Sequence, residues 1–239
     1  MIQNPYRYYK RQIYDPRFKK YNIPKTIGEA LRLFTNRFIG FEIVEYGKDS
    51  TLIRSMSDVS TKEFDSSLRR VLLLIQSMAQ DTLDAVKFND KERVISIHDT
   101  DINLDKFHDY CVRVINKYPV VPLHLSAPII STLQFVELIG DEYKNIANHL
   151  IFDFPKNEYK SITYIAQAIS DFINSYVDLY YKFDKSKVLN LAVLDQTIYT
   201  SIQELVKKAL FPEQEVFHHF RIIRRYLNSL VELRIQMEF

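Results

Sequence analysis

Two short segments of the chain place pairs of carboxylates at helical spacing. The segment DINLD carries Asp101 and Asp105, and VELIGDEYKN carries Glu137 and Asp141, with Asn145 one turn further on. Residues four apart lie on one face of an α-helix. Two such faces packed together would gather oxygen ligands of the kind that Mg²⁺, Mn²⁺ and iron accept. The pattern therefore predicts a cation site, and the competing interpretation is a solvated helix face.

Gly140 lies between the two acids of the second segment. Glycine inside a helix costs about 1 kcal/mol relative to alanine, so its presence in an apolar-striped helix needs a reason. A neighbouring helix that crosses close by would supply one, because glycine has no Cβ to keep the two backbones apart. We therefore predict that the helix carrying Asp101 and Asp105 passes next to Gly140 and brings the four carboxylates together.

The other chemically capable groups predict less. His98 and His108 could add nitrogen ligands near the acids. Cys111, the one cysteine of the chain, falls in an apolar stripe typical of a core thiol, and a single cysteine fits a reducing compartment. The sequence has no P-loop, no G-x-S-x-G, no H-E-x-x-H and no paired C-x-x-C. Nothing predicts nucleophilic catalysis.

Composition bounds the classes of protein that the chain can belong to. Of the 239 residues, 46% are hydrophobic and 26% charged, which predicts a folded chain with a core. A net charge of +2 supplies no strong attraction for nucleic acid or anionic membrane. The polar, tyrosine-rich start lacks a signal-type apolar stretch, and no purely apolar run approaches the roughly 18 residues of a membrane helix. We expect a cytoplasmic protein that does not insert into a membrane.

Residues 1–58 differ from the rest of the chain. IGEALRLFTNRF at 27–38 has helical periodicity, and FEIVEYGKDSTLIRSM at 41–56 alternates as two strands joined near Gly47 and Lys48. A helix and a hairpin form too small a core to stand alone. Because open strand edges favour pairing with another chain, we expect at least a dimer.

From residue 60 the pattern is helical throughout. STKE is predicted to open the first helix as a capping box in which Ser60 accepts from the amide of Glu63. Ser126 is predicted to cap the third helix, with Pro128 in its first turn. Helices joined by short breaks pack antiparallel, so we predict a mainly α fold with two three-helix bundles, residues 59–154 and 155–239. The predicted helices are 60–86, 91–117, 127–151, 159–182, 185–209 and 213–238.

The segment ELIGDEYKNIANHL at 137–150 closely resembles the signature of the PhoU family of phosphate-uptake regulators. Asp101 and Asp105 fall where that family places its second acidic pair. Residues 39–86 are similar to the archaeal branch, in which a small α/β segment precedes the bundles. The resemblance implies two three-helix bundles with pseudo-twofold symmetry. It also implies a metal ion (Mg, Mn, Fe or Zn) in the first bundle, with Asn145 in support of the ligands Asp101, Asp105, Glu137 and Asp141.

Two departures from the family pattern limit what the resemblance implies. In the second bundle Asp195 lacks an acid one turn earlier, at Leu191, and Arg224 and Asn228 stand where an acid pair would be. An arginine repels a cation, so any metal is expected in the first bundle alone. Archaeal relatives often carry an N-terminal DNA-binding segment, which residues 1–38 do not resemble, and this argues against direct DNA binding.

The resemblance implies a non-enzymatic regulator of phosphate homeostasis that contacts a phosphate ABC transporter or a sensor kinase. Two alternatives are a carboxylate-bridged metalloenzyme and a metal-free helical scaffold. Helical di-iron enzymes use Glu-x-x-His motifs, and neither His98 nor His108 follows a glutamate by three residues. We therefore predict a protein without enzymatic activity.

Overall fold

The computed structural model describes residues 27–46, 50–56, 60–150 and 159–239. The chain divides into two compact units, Met1–Asp58 and Val59–Phe239. The described part of the first unit holds helix α1 (Ile27–Arg37) and an antiparallel pair of strands, β1 (Phe41–Tyr46) and β2 (Thr51–Ser55).

The hairpin follows the alternation seen in the sequence. Ile43 lies opposite Ile53, and Glu42 lies opposite Arg54, so a cross-strand pair of opposite charges faces one side. The register shifts between Ile43 and Glu45, which leaves the residue between them as a bulge. The two predicted strands are confirmed, and the turn predicted near residues 47 and 48 lies outside the described residues.

The described part of the second unit is built from six long helices, which confirms the mainly α fold predicted from residue 60 onward. Each helix turns an apolar stripe toward a common core, whose largest fully buried side chains include Tyr143, Tyr176 and Phe172. The helices are α2 (Phe64–Phe88), α3 (Lys91–Lys117), α4 (Leu123–Leu150), α5 (Tyr159–Tyr181), α6 (Lys185–Val206) and α7 (Phe211–Gln236).

Sharp breaks between helices come from residues that cap the next helix. Asn89 ends α2 in the left-handed region, with φ 53° and ψ 43°. Asp90 then accepts from the amides of Glu92 and Arg93 at 3.0 and 3.2 Å and so caps α3. Asp184 caps α6 in the same manner, accepting from the amide of Ser186 at 2.7 Å.

Two predicted helix starts were wrong. A 3₁₀ turn, Thr61–Glu63, precedes α2, and the amide of Glu63 bonds to the carbonyl of Ser60 at 3.3 Å rather than to its hydroxyl. Helix α4 begins at Leu123, so Ser126 lies within the helix and does not cap it. The amide of Leu125 already bonds to the carbonyl of Pro122 at 2.9 Å, so the helix begins four residues earlier than predicted.

The six helices pack as two groups of three that share contacts. Helices α2, α3 and α4 contact one another, and so do α5, α6 and α7. The groups join where α2 contacts α5 and where α4 contacts α7, so first helix meets first helix and third meets third. Of the described helices, α4 is the one long and apolar enough to cross a membrane, and it packs against α2, α3 and α7.

Candidate functional site

Helices α3 and α4 cross closely at Gly140. A Cβ atom at this position would overlap Cδ2 of Leu104 and lie 3.5 Å from Oδ1 of Asp101. Both of these residues are buried on α3. The predicted close approach of the two helices at Gly140 is therefore confirmed, and it places Asp101 next to the acidic segment of α4.

An ammonium group lies between the two helices at this crossing. Nζ of Lys144 donates to Oδ2 of Asp101 at 2.8 Å and also to Oδ1 of Asp141. The side chain of Asp101 is only 6% exposed, that of Lys144 is 19% exposed and that of Asp141 is 42% exposed. A basic side chain thus joins a buried carboxylate of α3 to a partly exposed carboxylate of α4.

Charge at this crossing is set by competition between burial and the ion pairs. Burial acts to lower the pKa of Lys144, but its hydrogen bonds to Asp101 and Asp141 outweigh burial and raise that pKa above its usual value. Burial also raises the pKa of Asp101, and the adjacent ammonium opposes the rise. Lys144 therefore remains a cation at neutral pH.

The remaining predicted ligands lie along the same two helices. Glu137 accepts from Nε2 of Gln134 at 3.1 Å on its own helix. Asp105 on α3 and Asn145 on α4 are both partly buried. Across the described ranges, no three His, Cys, Asp or Glu side chains form a group that could hold a metal ion.

The donor set at the crossing does not suit a divalent ion. Two carboxylates converge there, and a charged ammonium already lies between them. A magnesium ion would need near-octahedral oxygen coordination and would meet a like charge instead. A metal held by the five predicted residues stays a prediction.

The two histidines and the cysteine singled out in the sequence are all at least partly buried. Burial lowers the pKa of His98, one turn before Asp101, which favours its neutral form. Nδ1 of His108 lies 3.0 Å from Oδ1 of Asp109. Cys111 is fully buried, and burial raises its pKa to about 12, so the predicted core thiol is confirmed.

The second bundle also holds an ion pair between its second and third helices. Nη1 of Arg224 on α7 donates to both carboxylate oxygens of Asp195 on α6, each at 2.6 Å. Both side chains are largely buried, at 14% and 13% exposure. The guanidinium also lies 5.0 Å from the ring centroid of Tyr199, a cation–π distance.

Reading the sequence for acids alone missed the cations that hold them. Lys144 follows Asp141 by three residues, a spacing that places the two on one helical face and could have signalled the pair. Arg93 was missed as well: its guanidinium lies 3.3 Å from Asp81 and from Asp84, and 3.2 Å from Asp90.

A cluster between α4 and α7 was also missed. Nδ1 of His219 lies 2.5 Å from Oε2 of Glu142, and the rings of His219 and His149 lie 5.2 Å apart. Burial, followed by the charge of His219, lowers the pKa of His149. These contacts join residues that are far apart in the sequence, so no local spacing predicts them.

The chain does contain one Glu-x-x-His spacing, away from His98 and His108. Glu215 and His218 on α7 have this spacing. A di-iron bundle requires the motif on each of two helices, with all members projecting inward. His218 is exposed, so this single motif does not supply an inward-facing ligand set.

Comparison with known proteins informs the fold. No family profile matches the sequence, and no curated protein matches it. The structure is similar to the crystal structure of PhoU from Pseudomonas aeruginosa, with a TM-score of 0.61 and 20% sequence identity. The likeness covers 73% of this chain and 94% of that one. At this identity it shows the fold alone, so the predicted PhoU-like fold is confirmed and the archaeal branch stays a prediction.

Proposed function

We propose that this chain is a non-enzymatic regulator of phosphate uptake that acts through protein contacts. The observation that carries the proposal is the fold, which matches nearly the whole length of the P. aeruginosa PhoU chain. The arrangement of charge supports it: Lys144 is engaged by two aspartates, and Arg224 is engaged by one. Internal ion pairs of this kind join neighbouring helices.

The proposed partner is a component of a phosphate ABC transporter or its sensor kinase, contacted in the cytoplasm. Helices α2 to α7 bury apolar side chains in a common core, which supports a partner that is met in water. Fold likeness supports the class of partner by analogy, and the contact itself has to be found by experiment.

We also propose a homodimer. In the described residues β1 and β2 form a sheet of two strands, and each strand is paired on one side. Such a hairpin is marginal in water without further pairing or packing. Light scattering of the purified protein at micromolar concentration should give at least twice the chain mass, and a monomer would contradict the proposal.

Deletion of the gene in the source organism tests the regulatory role. In phosphate-replete medium the deletion strain should keep taking up labelled phosphate and should keep its phosphate-transporter transcripts high, and the parent gene should restore both. The tagged chain should copurify with the transporter or the kinase. Normal repression in the deletion strain would contradict the proposal.

An activity assay on the purified protein distinguishes the metalloenzyme alternative from the regulatory role. The purified protein should not hydrolyse p-nitrophenyl phosphate with or without added Mn²⁺. Turnover that tracks the protein through purification and responds to metal would favour a metalloenzyme and count against a purely regulatory chain.

A further inference from the structure

The crossing of α3 and α4 holds a cation that belongs to the chain. We infer that the ammonium of Lys144 takes the place of a divalent metal in the first bundle, so the protein takes up no metal at Asp101 and Asp141. The inference concerns the source of positive charge at this crossing and does not depend on the regulatory role.

The first support is the position of the ammonium relative to the two carboxylates. Nζ of Lys144 lies 2.8 Å from Oδ2 of Asp101 on one helix and also bonds to Oδ1 of Asp141 on the other. A cation that bridges facing helices is the arrangement that a carboxylate-bound metal would give. Here the bridge is made by hydrogen bonds from a side chain that is anchored one turn from Asp141 on the same helix.

The second support is that a metal would have to displace this group. Removal of the ammonium would break two charge-assisted hydrogen bonds and leave a cation beside the incoming ion. The side chain of Lys144 is 19% exposed, so its charge is only partly screened by water.

The third support comes independently from the second bundle. There, too, a basic residue of the third helix meets an aspartate of the second helix, as Arg224 bonds to Asp195. The two bundles use different basic residues at different points of the helix. In both bundles the positive charge beside the largely buried aspartate is supplied by a side chain of the protein itself.

The inference predicts that a variant without the ammonium gains the ability to bind a divalent cation. Lys144→Met keeps most of the side-chain stem and removes the ammonium, so the two carboxylates are left to attract a cation. Lys160→Met, at an exposed position on α5, is the matched control. The three proteins are melted with and without about 1 mM MnCl₂, and bound Mn²⁺ is counted from the loss of its free electron-paramagnetic signal.

We expect the parent and Lys160→Met to bind no stoichiometric Mn²⁺ and to melt at an unchanged temperature. Lys144→Met should bind about one ion per chain and melt several degrees higher with Mn²⁺, because a ligand of the folded state stabilises it. Adding Asp101→Asn to Lys144→Met should remove both effects. Stoichiometric binding by the parent that Asp101→Asn abolishes would overturn the inference, and so would a Lys144→Met protein as indifferent to Mn²⁺ as the parent.

A measurement on the parent alone covers the case in which Lys144→Met does not fold. In protein with ¹⁵N-labelled lysines, the side-chain ammonium of Lys144 should give a signal protected from solvent exchange by its two hydrogen bonds. That signal should persist unchanged when Mg²⁺ is added in excess. Its loss on addition of Mg²⁺, with the other lysine signals unaffected, would show displacement by metal and overturn the inference.

Discussion

In the first bundle one lysine is shared by carboxylates of two helices, whereas in the second an arginine holds both oxygens of a single carboxylate. Lys144 bonds to Asp101 and to Asp141, and one of these acids is 42% exposed. Arg224 bonds twice to Asp195, and both side chains are below 15% exposure. The first cluster is therefore open at one end, and the second is closed.

In each bundle a single nitrogen atom makes both hydrogen bonds to carboxylate oxygens. An ammonium is a compact charge with three donors that point in different directions, so it can bridge acids on separate helices. Arg224 instead uses one nitrogen, Nη1, for both oxygens of Asp195, and its buried Nε has no hydrogen-bond partner within the described part of the chain. Each bundle thus neutralises a largely buried aspartate between two helices with a basic side chain, in different geometry. Because both members of the closed pair are largely buried, that pair should contribute more to stability.

The largest effect is expected at the closed pair. Arg224→Ala should lower the free energy of unfolding by about 3 kcal/mol, because it leaves Asp195 buried without its partner. Arg224→Lys should recover only part of this loss, because it keeps a positive charge on a side chain that reaches less far toward Asp195. Urea denaturation measures both, with Arg225→Ala at a neighbouring exposed position as the control. Equal losses for Arg224→Ala and Arg225→Ala would show that the pair contributes nothing.

The open cluster should show an asymmetry between its two acids. Asp101→Asn should cost about 2 kcal/mol, since a buried hydrogen bond to a charged group is weakened. Asp141→Asn should cost less than about 1 kcal/mol, because that side chain is 42% exposed and water screens its ion pair. The two variants are compared by urea denaturation at the same pH. A larger cost for Asp141→Asn would mean that the outer acid carries the cluster, contrary to its exposure.

A smaller effect is expected where the two helices cross. Gly140→Ala should cost about 1 kcal/mol net, as the overlap with Leu104 outweighs the gain in helix propensity. Leu104→Val makes room for the new methyl group, so the double variant should lose less than the sum of the single losses. Strict additivity would show that the two positions do not press on each other.

The smallest effect is expected at the junction between the bundles. The pKa of His149 is lowered by burial and by His219, while Glu215 opposes the shift. The unfolded chain therefore binds a proton more readily, and stability should fall as pH is lowered from about 7 to about 5. The melting temperature of His149→Gln should fall less steeply over that range. His124→Gln, at an exposed position, should follow the parent, and a parent slope in His149→Gln would contradict this assignment.

Much of the fold could be predicted because its signals are local. Helical periodicity and breaks such as FND locate six helices to within a few residues, and alternation locates both strands. Helix starts were less predictable. Ser60 and Ser126 both fit a capping pattern. At Ser60 the backbone carbonyl, not the hydroxyl, accepts from the amide of Glu63. Helix α4 begins at Leu123, which places Ser126 inside the helix. A side-chain cap competes with a backbone hydrogen bond that starts the helix a few residues earlier. The local sequence pattern does not show which of the two forms.

The site could be predicted only in part. The cost of glycine in a helix pointed to the close approach at Gly140, and Leu104 and Asp101 lie there. The pattern of acids did not show that Lys144 would turn toward Asp101, since a lysine at that position can equally extend into solvent. Its direction is set by the packing of α3 against α4, which is a long-range property of the fold.

Helix α4 contacts α2 and α3 on one side of the molecule and α7 on the other, while α2 also contacts α5. Neither group of three helices closes its core without the other, because these shared faces would then meet water. Heat should therefore melt residues 60–239 in a single cooperative transition, and the calorimetric enthalpy should equal the van't Hoff value. Cutting the chain between Leu150 and Tyr159 would expose the apolar faces of both halves, and neither half is expected to fold alone.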